Sequence, residues 1–337
     1  MKILSSPYSH GPNQLTRVML KTTAAAIPGW LALVWLFGPG VVVNLVIVTL
    51  VAYASEALML LLRRRPLSTM SDGSALLTAV LLAASLPPYT PWWLAAMGAA
   101  VAIIVGKQIY GGLGSNLFNP AMVGFVTLII SFPLEMTQWA APLAQLDHAP
   151  SFGDALAYAL HGAFPGGSLD AISMATPLDH LKTELTQGMP VHEILDSGKQ
   201  YMMSLPATFW PALAWLLGGL YLLQQRIITW QIPAAMLSGI GGMALIFWLI
   251  NPAEYASPAF HLVAGASMIG AFFIATDPVT SSTTPMGKIW FGLGCGVLTW
   301  IIRTWGGYPD GVAFSVLLMN MAAPAIDYFT KPKVYGH

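Results

Sequence analysis

Apolar runs long enough to cross a bilayer dominate this chain, and they fall into two sets of five. A helix needs about 20 mainly apolar residues to span the hydrocarbon core. Candidates at 22–38, 41–62, 74–88, 92–108 and 121–133 precede a polar stretch at 134–204. Candidates at 205–223, 231–250, 259–276, 288–305 and 311–329 follow it. Spans three and five are short and end in proline, at Pro87-Pro88 and Pro133. Broken helices of that kind are tolerated where other helices or a cavity satisfy the freed backbone groups. Charged residues make up only 8% of the 337 residues, against about 25% in a soluble domain. The expected fold is an all-α polytopic membrane protein of about ten transmembrane helices. It divides into an N-terminal membrane half at 1–133, an insertion at 134–204 and a C-terminal membrane half at 205–337.

Charge placement orients these spans. With the N-terminus inside, Lys2, Arg17, Lys21, Arg63, Arg64, Arg65, Lys107, Arg226, Lys288, Lys331 and Lys333 lie on the cytoplasmic side. Lys182, Lys199 and Arg303 are the exceptions among the fourteen basic residues. Cytoplasmic loops carry such an excess of Lys and Arg. An odd number of spans then puts 134–204 on the outer face, where eight carboxylates meet two lysines. The expected location is a bacterial inner membrane with both termini cytoplasmic and 134–204 periplasmic. Trp92, Trp93, Trp290 and Trp305 near span ends fit an interfacial aromatic belt against lipid.

Several function classes are excluded. A lone cysteine, Cys295, supplies neither a disulfide framework nor a thiolate cluster, so any iron–sulfur centre must belong to a partner. Four of the seven histidines, His148, His161, His180 and His192, lie in the insertion with spacing that makes no metal site. Zero net charge gives no general argument for nucleic acid, and no Gly-rich dinucleotide fingerprint follows a strand. Met1 to Lys21 lacks the short apolar core of a signal peptide.

Five spans, an insertion and five spans is a common plan for inverted repeats in transport proteins. A loose echo supports it: Tyr110-Gly111-Gly112 with Phe118-Asn119-Pro120, against Trp305-Gly306-Gly307 with Phe314 and Asn320.

The insertion holds Asp170-Ala171-Ile172-Ser173-Met174-Ala175-Thr176. This run is similar to the acceptor motif at which a flavin transferase esterifies FMN onto threonine; Ala171 and Met174 depart from the small residues usual there. Further stretches are Ser71-Asp72-Gly73-Ser74 with Leu86-Pro87-Pro88, the run from Gly111 to Ala121, Thr276-Asp277-Pro278-Val279-Thr280, and Gly306 to Gly311. Together they resemble the family that contains RnfD, a membrane protein of the Rnf electron-transport complex, and its relative NqrB of the sodium-pumping NADH:quinone reductase. The resemblance runs from about 17 to 329, and the shortness of the chain favours the Rnf branch.

That resemblance implies a urea-transporter-like fold of two inverted halves. It also implies FMN joined through its phosphate to Thr176, with Asp170 and Ser173 read by the transferase; by itself Thr176 reads as opening a turn before Pro177. The segment Gly111–Ala121 corresponds to a flavin or quinone site near the cytoplasmic surface. Asn116 and Asn119 are its candidate contacts to a non-covalent riboflavin; the same residues read equally as a Gly-rich break with an asparagine cap. Glu56 in span two and Asp277 at the end of span eight are candidate ion-path carboxylates, since ionisable groups at membrane depth are costly and usually functional or paired. Glu56 alternatively pairs with an arginine or caps a packed helix, and Asp277 alternatively terminates its helix. Implied partners are the other Rnf subunits, A, B, C, E and G, the flavin transferase for maturation, and membrane lipid. The expected function is electron transfer between ferredoxin and a nicotinamide nucleotide, coupled to Na⁺ or H⁺ movement. The alternative is a flavin-free solute channel or transporter with the same inverted-repeat fold.

Overall fold

The computed structural model describes residues 12–146, 148–164, 169, 172–197 and 205–331. The first half comprises α1 (Pro12–Ala25), α2 (Ile27–Phe37), α3 (Pro39–Leu62), α4 (Ser74–Ser85), α5 (Trp92–Ile103) and α6 (Pro120–Ser131). A π-helical turn, Ile104–Gln108, extends α5. The insertion contains α7 (Pro133–Thr137), β1 (Trp139–Ala140), α8 (Phe152–His161), β2 (Ser173–Met174), α9 (Pro177–Thr186) and α10 (Val191–Ser197). The second half comprises α11 (Leu205–Gln224), α12 (Gln231–Ile250), α13 (Pro258–Val263), α14 (Ser267–Ile269), a π-helical turn at Gly270–Ile274, α15 (Pro285–Trp305) and α16 (Val312–Phe329).

Every predicted span falls on a helix or a run of helices, and the molecule is an all-α polytopic membrane protein. Its spans are of two kinds. Leu15–Phe37, α3, α12, α15 and α16 are long and apolar enough to cross a bilayer. The helices α4 and α6 have 12 residues each, so they rise only about 18 Å, short of the roughly 30 Å hydrocarbon core. Span eight, expected as one helix over 259–276, breaks between α13 and α14 where Ala264 is extended and Gly265 has φ +65°.

Breaks inside a membrane leave backbone groups that need partners, and buried side chains provide them. After α4, the buried Asn44 of α3 donates to the carbonyls of Pro87 and Pro88 at 2.7 and 3.2 Å. After α13, Arg303 of α15 donates to the carbonyls of His261 and Ala264 at 2.8 and 3.3 Å. The Ala266 N–H donates to Asp310 at 2.7 Å. These contacts explain why Arg303 departs from the positive-inside pattern. It is a buried fitting of span eight, not a loop charge.

Helices at the same place in the order of spans pack alike before and after the insertion: α3 against α5 and α12 against α15, then α5 against α6 and α15 against α16. Small residues allow the closest of these approaches. A Cβ at Gly239 would lie 2.8 Å from the Leu293 carbonyl, and one at Gly292 2.6 Å from that of Ile232. Small-residue seams are how membrane helices gain van der Waals contact without a hydrophobic driving force between them. The halves join through α2 on α11 and α6 on α16. Within the insertion, β1 and β2 pair antiparallel, Trp139 with Met174 and Ala140 with Ser173. The helix α8 lays Ala155, Tyr158 and Ala159 against Val43 and Tyr89.

Candidate functional site

Thr176 sits at the junction of insertion and membrane core. It is the N-cap of α9, its Oγ1 accepting the Asp179 N–H at 3.2 Å, with Pro177 at the first helical position. This pattern starts a helix well: the threonine oxygen satisfies a first-turn N–H, and proline lacks the donor that would be orphaned there. Two anchors dock α9. Leu178 is buried, and Lys182 donates to the backbone carbonyls of Gly306 and Tyr308 in the loop between α15 and α16. Burial holds the Lys182 ammonium below its ordinary pKa, with Asp179 opposing that shift.

The half-buried Thr176 lines a cavity of about 210 Å³ between the two membrane halves. Its walls include Leu33, Phe37, Phe125, Ile129, Trp139 and Trp215. Ser85, Thr176, Thr208 and Asp310 are polar side chains among the described lining residues. A mostly apolar chamber with a few placed polar groups is the usual character of a cofactor site. A phosphoryl group on Thr176 would stand at the N-terminus of a ten-residue helix, where free N–H groups and the helix dipole favour anions. The residues present therefore fit a phosphate-tethered planar ring. Ser173 lies in β2, bonded to the Trp139–Ala140 strand beside this cavity. Asp170 lies outside the described residues.

The other predicted residues gather elsewhere. Asn116, Asn119 and Asp277 line a second pocket of about 60 Å³, together with Ser74, Thr78 and Lys107. Along α4 the change from one cavity to the other takes a single turn, from Leu81 to Ala84 and Ser85, about 5 Å of rise. Asn119 caps α6, accepting the Met122 N–H at 3.3 Å, and bridges the halves by donating to the Ile274 carbonyl at 3.2 Å. Its own N–H donates to Asn320 at 3.1 Å. Asn116 donates to the Phe118 carbonyl at 3.1 Å, while its buried Oδ1 has no hydrogen-bond partner. Asp277 accepts from Thr280 Oγ1 at 2.9 Å and the Val279 N–H at 3.4 Å, so it ends span eight as a turn residue while facing the pocket. The loop between needs its glycines: Gly111, Gly112 and Gly114 have φ of +129°, +104° and +90°, values that side chains resist.

Glu56 is 2% exposed and forms an ion pair with Lys107 at 2.5 Å. Gln108 donates to the same oxygen at 3.1 Å, and Glu56 Oε2 has no hydrogen-bond partner. Its partner is therefore Lys107 and not an arginine: Arg63 turns to the Gln108 carbonyl at 2.7 Å and Arg65 to that of Gly111 at 2.9 Å. Lys107, counted from sequence among the loop charges, is 1% exposed and also donates to Ser74 Oγ at 2.6 Å. Ser74 in turn donates to Asp72 at 2.5 Å, so a hydrogen-bonded chain links Glu56 to the edge of the bundle.

Comparison with known proteins decides the family. The family model described as the NQR2, RnfD, RnfE family matches residues 2–336. The chain belongs to that family. The chain is 47% identical over 346 residues to the D subunit of the ion-translocating oxidoreductase complex of Klebsiella pneumoniae (strain 342), covering 100% of this chain and 99% of that protein. It is 48% identical over 336 residues to the D subunit of the same kind of complex in Pseudomonas aeruginosa (strain UCBPP-PA14), covering 99% and 95% respectively.

In this member of the family, sequence reasoning missed three polar residues that the fold places at the two cavities or beside their helices. Lys107 and Asp310 are two of them. The third is Asp327 near the end of α16, which accepts from Ser282 Oγ, the Thr283 N–H at 2.9 Å and Thr283 Oγ1 at 2.8 Å. These bonds tie α16 to the loop ahead of α15. Each of the three lies in or beside an apolar run whose periodicity names no partner.

Proposed function

We propose that this chain is the membrane flavoprotein of an Rnf-type ion-translocating oxidoreductase complex. In this reading it carries FMN as a phosphoester on Thr176 and works with the other Rnf subunits, A, B, C, E and G. The family, and the naming of its relatives as members of an ion-translocating oxidoreductase complex, support the coarse assignment. One observation carries the finer one: the threonine of the acceptor-like motif caps a helix and opens onto an apolar cavity of about 210 Å³.

Bound FMN would supply electron transfer, which side chains of this composition cannot. The protein's share is position. Thr176 and the first turn of α9 would hold the phosphoryl group, Lys182 and Leu178 fix that helix on the membrane core, and the apolar and aromatic walls would flank the ring. Ser173 and Asp170 serve recognition by a flavin transferase acting on the periplasmic face. The pocket of about 60 Å³ has room for about four to six waters at roughly 10–15 Å³ each. Asp277 and Lys107, the partner of Glu56, line it, and in this reading it forms part of a path for a hydrated cation. Riboflavin at Asn116 and Asn119 would require the Gly111–Gly114 loop to move. Coupling is to Na⁺ or H⁺, and the complex sits in a bacterial inner membrane with 134–204 outside.

Protein co-expressed with its transferase and partner subunits, then denatured and run on a gel, should keep a fluorescent flavin band. Thr176→Ala should insert and assemble but lose that band. A wild-type band that is dark favours the flavin-free channel instead.

A further inference from the structure

Arg303 and Asp310 form a charged pair at the wall of the Thr176 cavity. The Arg303 side chain is 1% exposed; its Nε donates to Asp310 Oδ1 at 3.1 Å and its Nη2 to Oδ2 at 3.2 Å. Asp310 lines the cavity and keeps 26% of its side-chain surface exposed, whereas Arg303 stands behind it. Among the described lining residues Asp310 is the one ionisable group. The pair thus presents its negative end to the chamber.

Two features argue that this placement does more than satisfy the broken span. Burying an ion pair is weak evidence for stability, because desolvation offsets the attraction and an apolar replacement is often neutral or better. The backbone also bends to admit the carboxylate. Gly265 takes φ +65°, and a Cβ there would lie 2.5 Å from both Asp310 Oδ2 and Leu178 Cδ1. The same glycine therefore lets Asp310 and the Thr176-bearing helix meet over the cavity.

We propose that Arg303 and Asp310 are positioning residues that set the reduction potential of the cofactor held at Thr176. This rests on the flavin reading above. Two-electron reduction with uptake of one proton adds one negative charge to the ring, so nearby fixed charge shifts the equilibrium, more in a mostly apolar cavity than in bulk water. Asp310→Asn leaves the guanidinium uncompensated and favours the reduced form. Arg303→Gln leaves the carboxylate uncompensated and favours the oxidised form. Arg303→Lys keeps the charge and stays near wild type.

The test is a redox titration of the covalent flavin in the assembled complex, followed by absorbance, after peptide mass has confirmed the Thr176 adduct in each variant. Asp310→Asn should move the midpoint upward and Arg303→Gln downward, each by at least a tenfold change in the equilibrium, ~30 mV for a two-electron couple. The double variant Asp310→Asn/Arg303→Gln should return toward wild type. Should Arg303→Gln fail to insert, Asp310→Asn and Arg303→Lys decide between a shifted and an unshifted midpoint. Unmoved or same-sign shifts with the adduct present overturn this proposal alone. Wild type without the adduct overturns the cofactor reading and this proposal with it.

Discussion

Lys107 sets an electrostatic constraint at the residue scale. Its ammonium is almost fully buried and answers Glu56, so removing it strands a carboxylate in the bundle. Breaking a buried pair from one side costs about 3–5 kcal/mol. Lys107→Met should lower the thermal midpoint of the purified protein sharply, and the double variant Glu56→Gln/Lys107→Met should recover most of the loss. Equal losses in single and double variants would show that the two groups do not couple. Gly265→Ala forces a left-handed backbone on a side chain, at about 1–2 kcal/mol, and brings its Cβ against Asp310 and Leu178. It should destabilise the protein in the same assay and weaken docking of α9. Glu56 stands out in sequence as a carboxylate at membrane depth, but neither its lysine partner nor Gly265 does. Glu56 and Lys107 lie 51 positions apart, and Gly265 is one of 32 glycines.

Helices of unequal length organise the molecule at the scale of elements. The full spans were legible because hydropathy needs only an unbroken run of about 20 residues. Pro87-Pro88 announced the early end of α4, since proline ends or kinks the helix ahead of it. The break after Val263 was not legible, because Ala264 and Gly265 keep the run over 259–276 apolar while the backbone departs from helix. The start of α9 was readable in principle from Thr176-Pro177, a cap followed by proline. Its docking was not, because Lys182 bonds the Gly306 carbonyl, 124 residues away. Lys182→Met should leave the membrane helices intact and loosen α9. Limited proteolysis should then cut between α9 and α10 sooner than in wild type, and an unchanged cleavage rate would argue that Leu178 alone docks the helix.

For the whole molecule, the cavity beside Thr176 belongs to neither half. Leu33 and Phe125 come from the first, Trp215 and Val312 from the second, and Trp139 and Thr176 from the insertion. A feature assembled from three stretches leaves no local signal, so only the threonine itself could be named from sequence. The proposed orientation rests on the placement of the basic residues. A reporter active only in the periplasm should give signal when fused near residue 172, and none when fused near Arg64 or Lys331. Signal at the latter two positions would overturn this orientation, and with it the proposed access of a transferase to Thr176. The most direct measurement is the mass of the peptide spanning Asp170 to Lys182, taken from protein matured beside its transferase. Wild type should carry one FMN phosphoryl adduct, less water, located at Thr176, and Thr176→Ala should carry none. An unmodified wild-type peptide, or an alanine variant that still holds covalent flavin, would contradict the assignment.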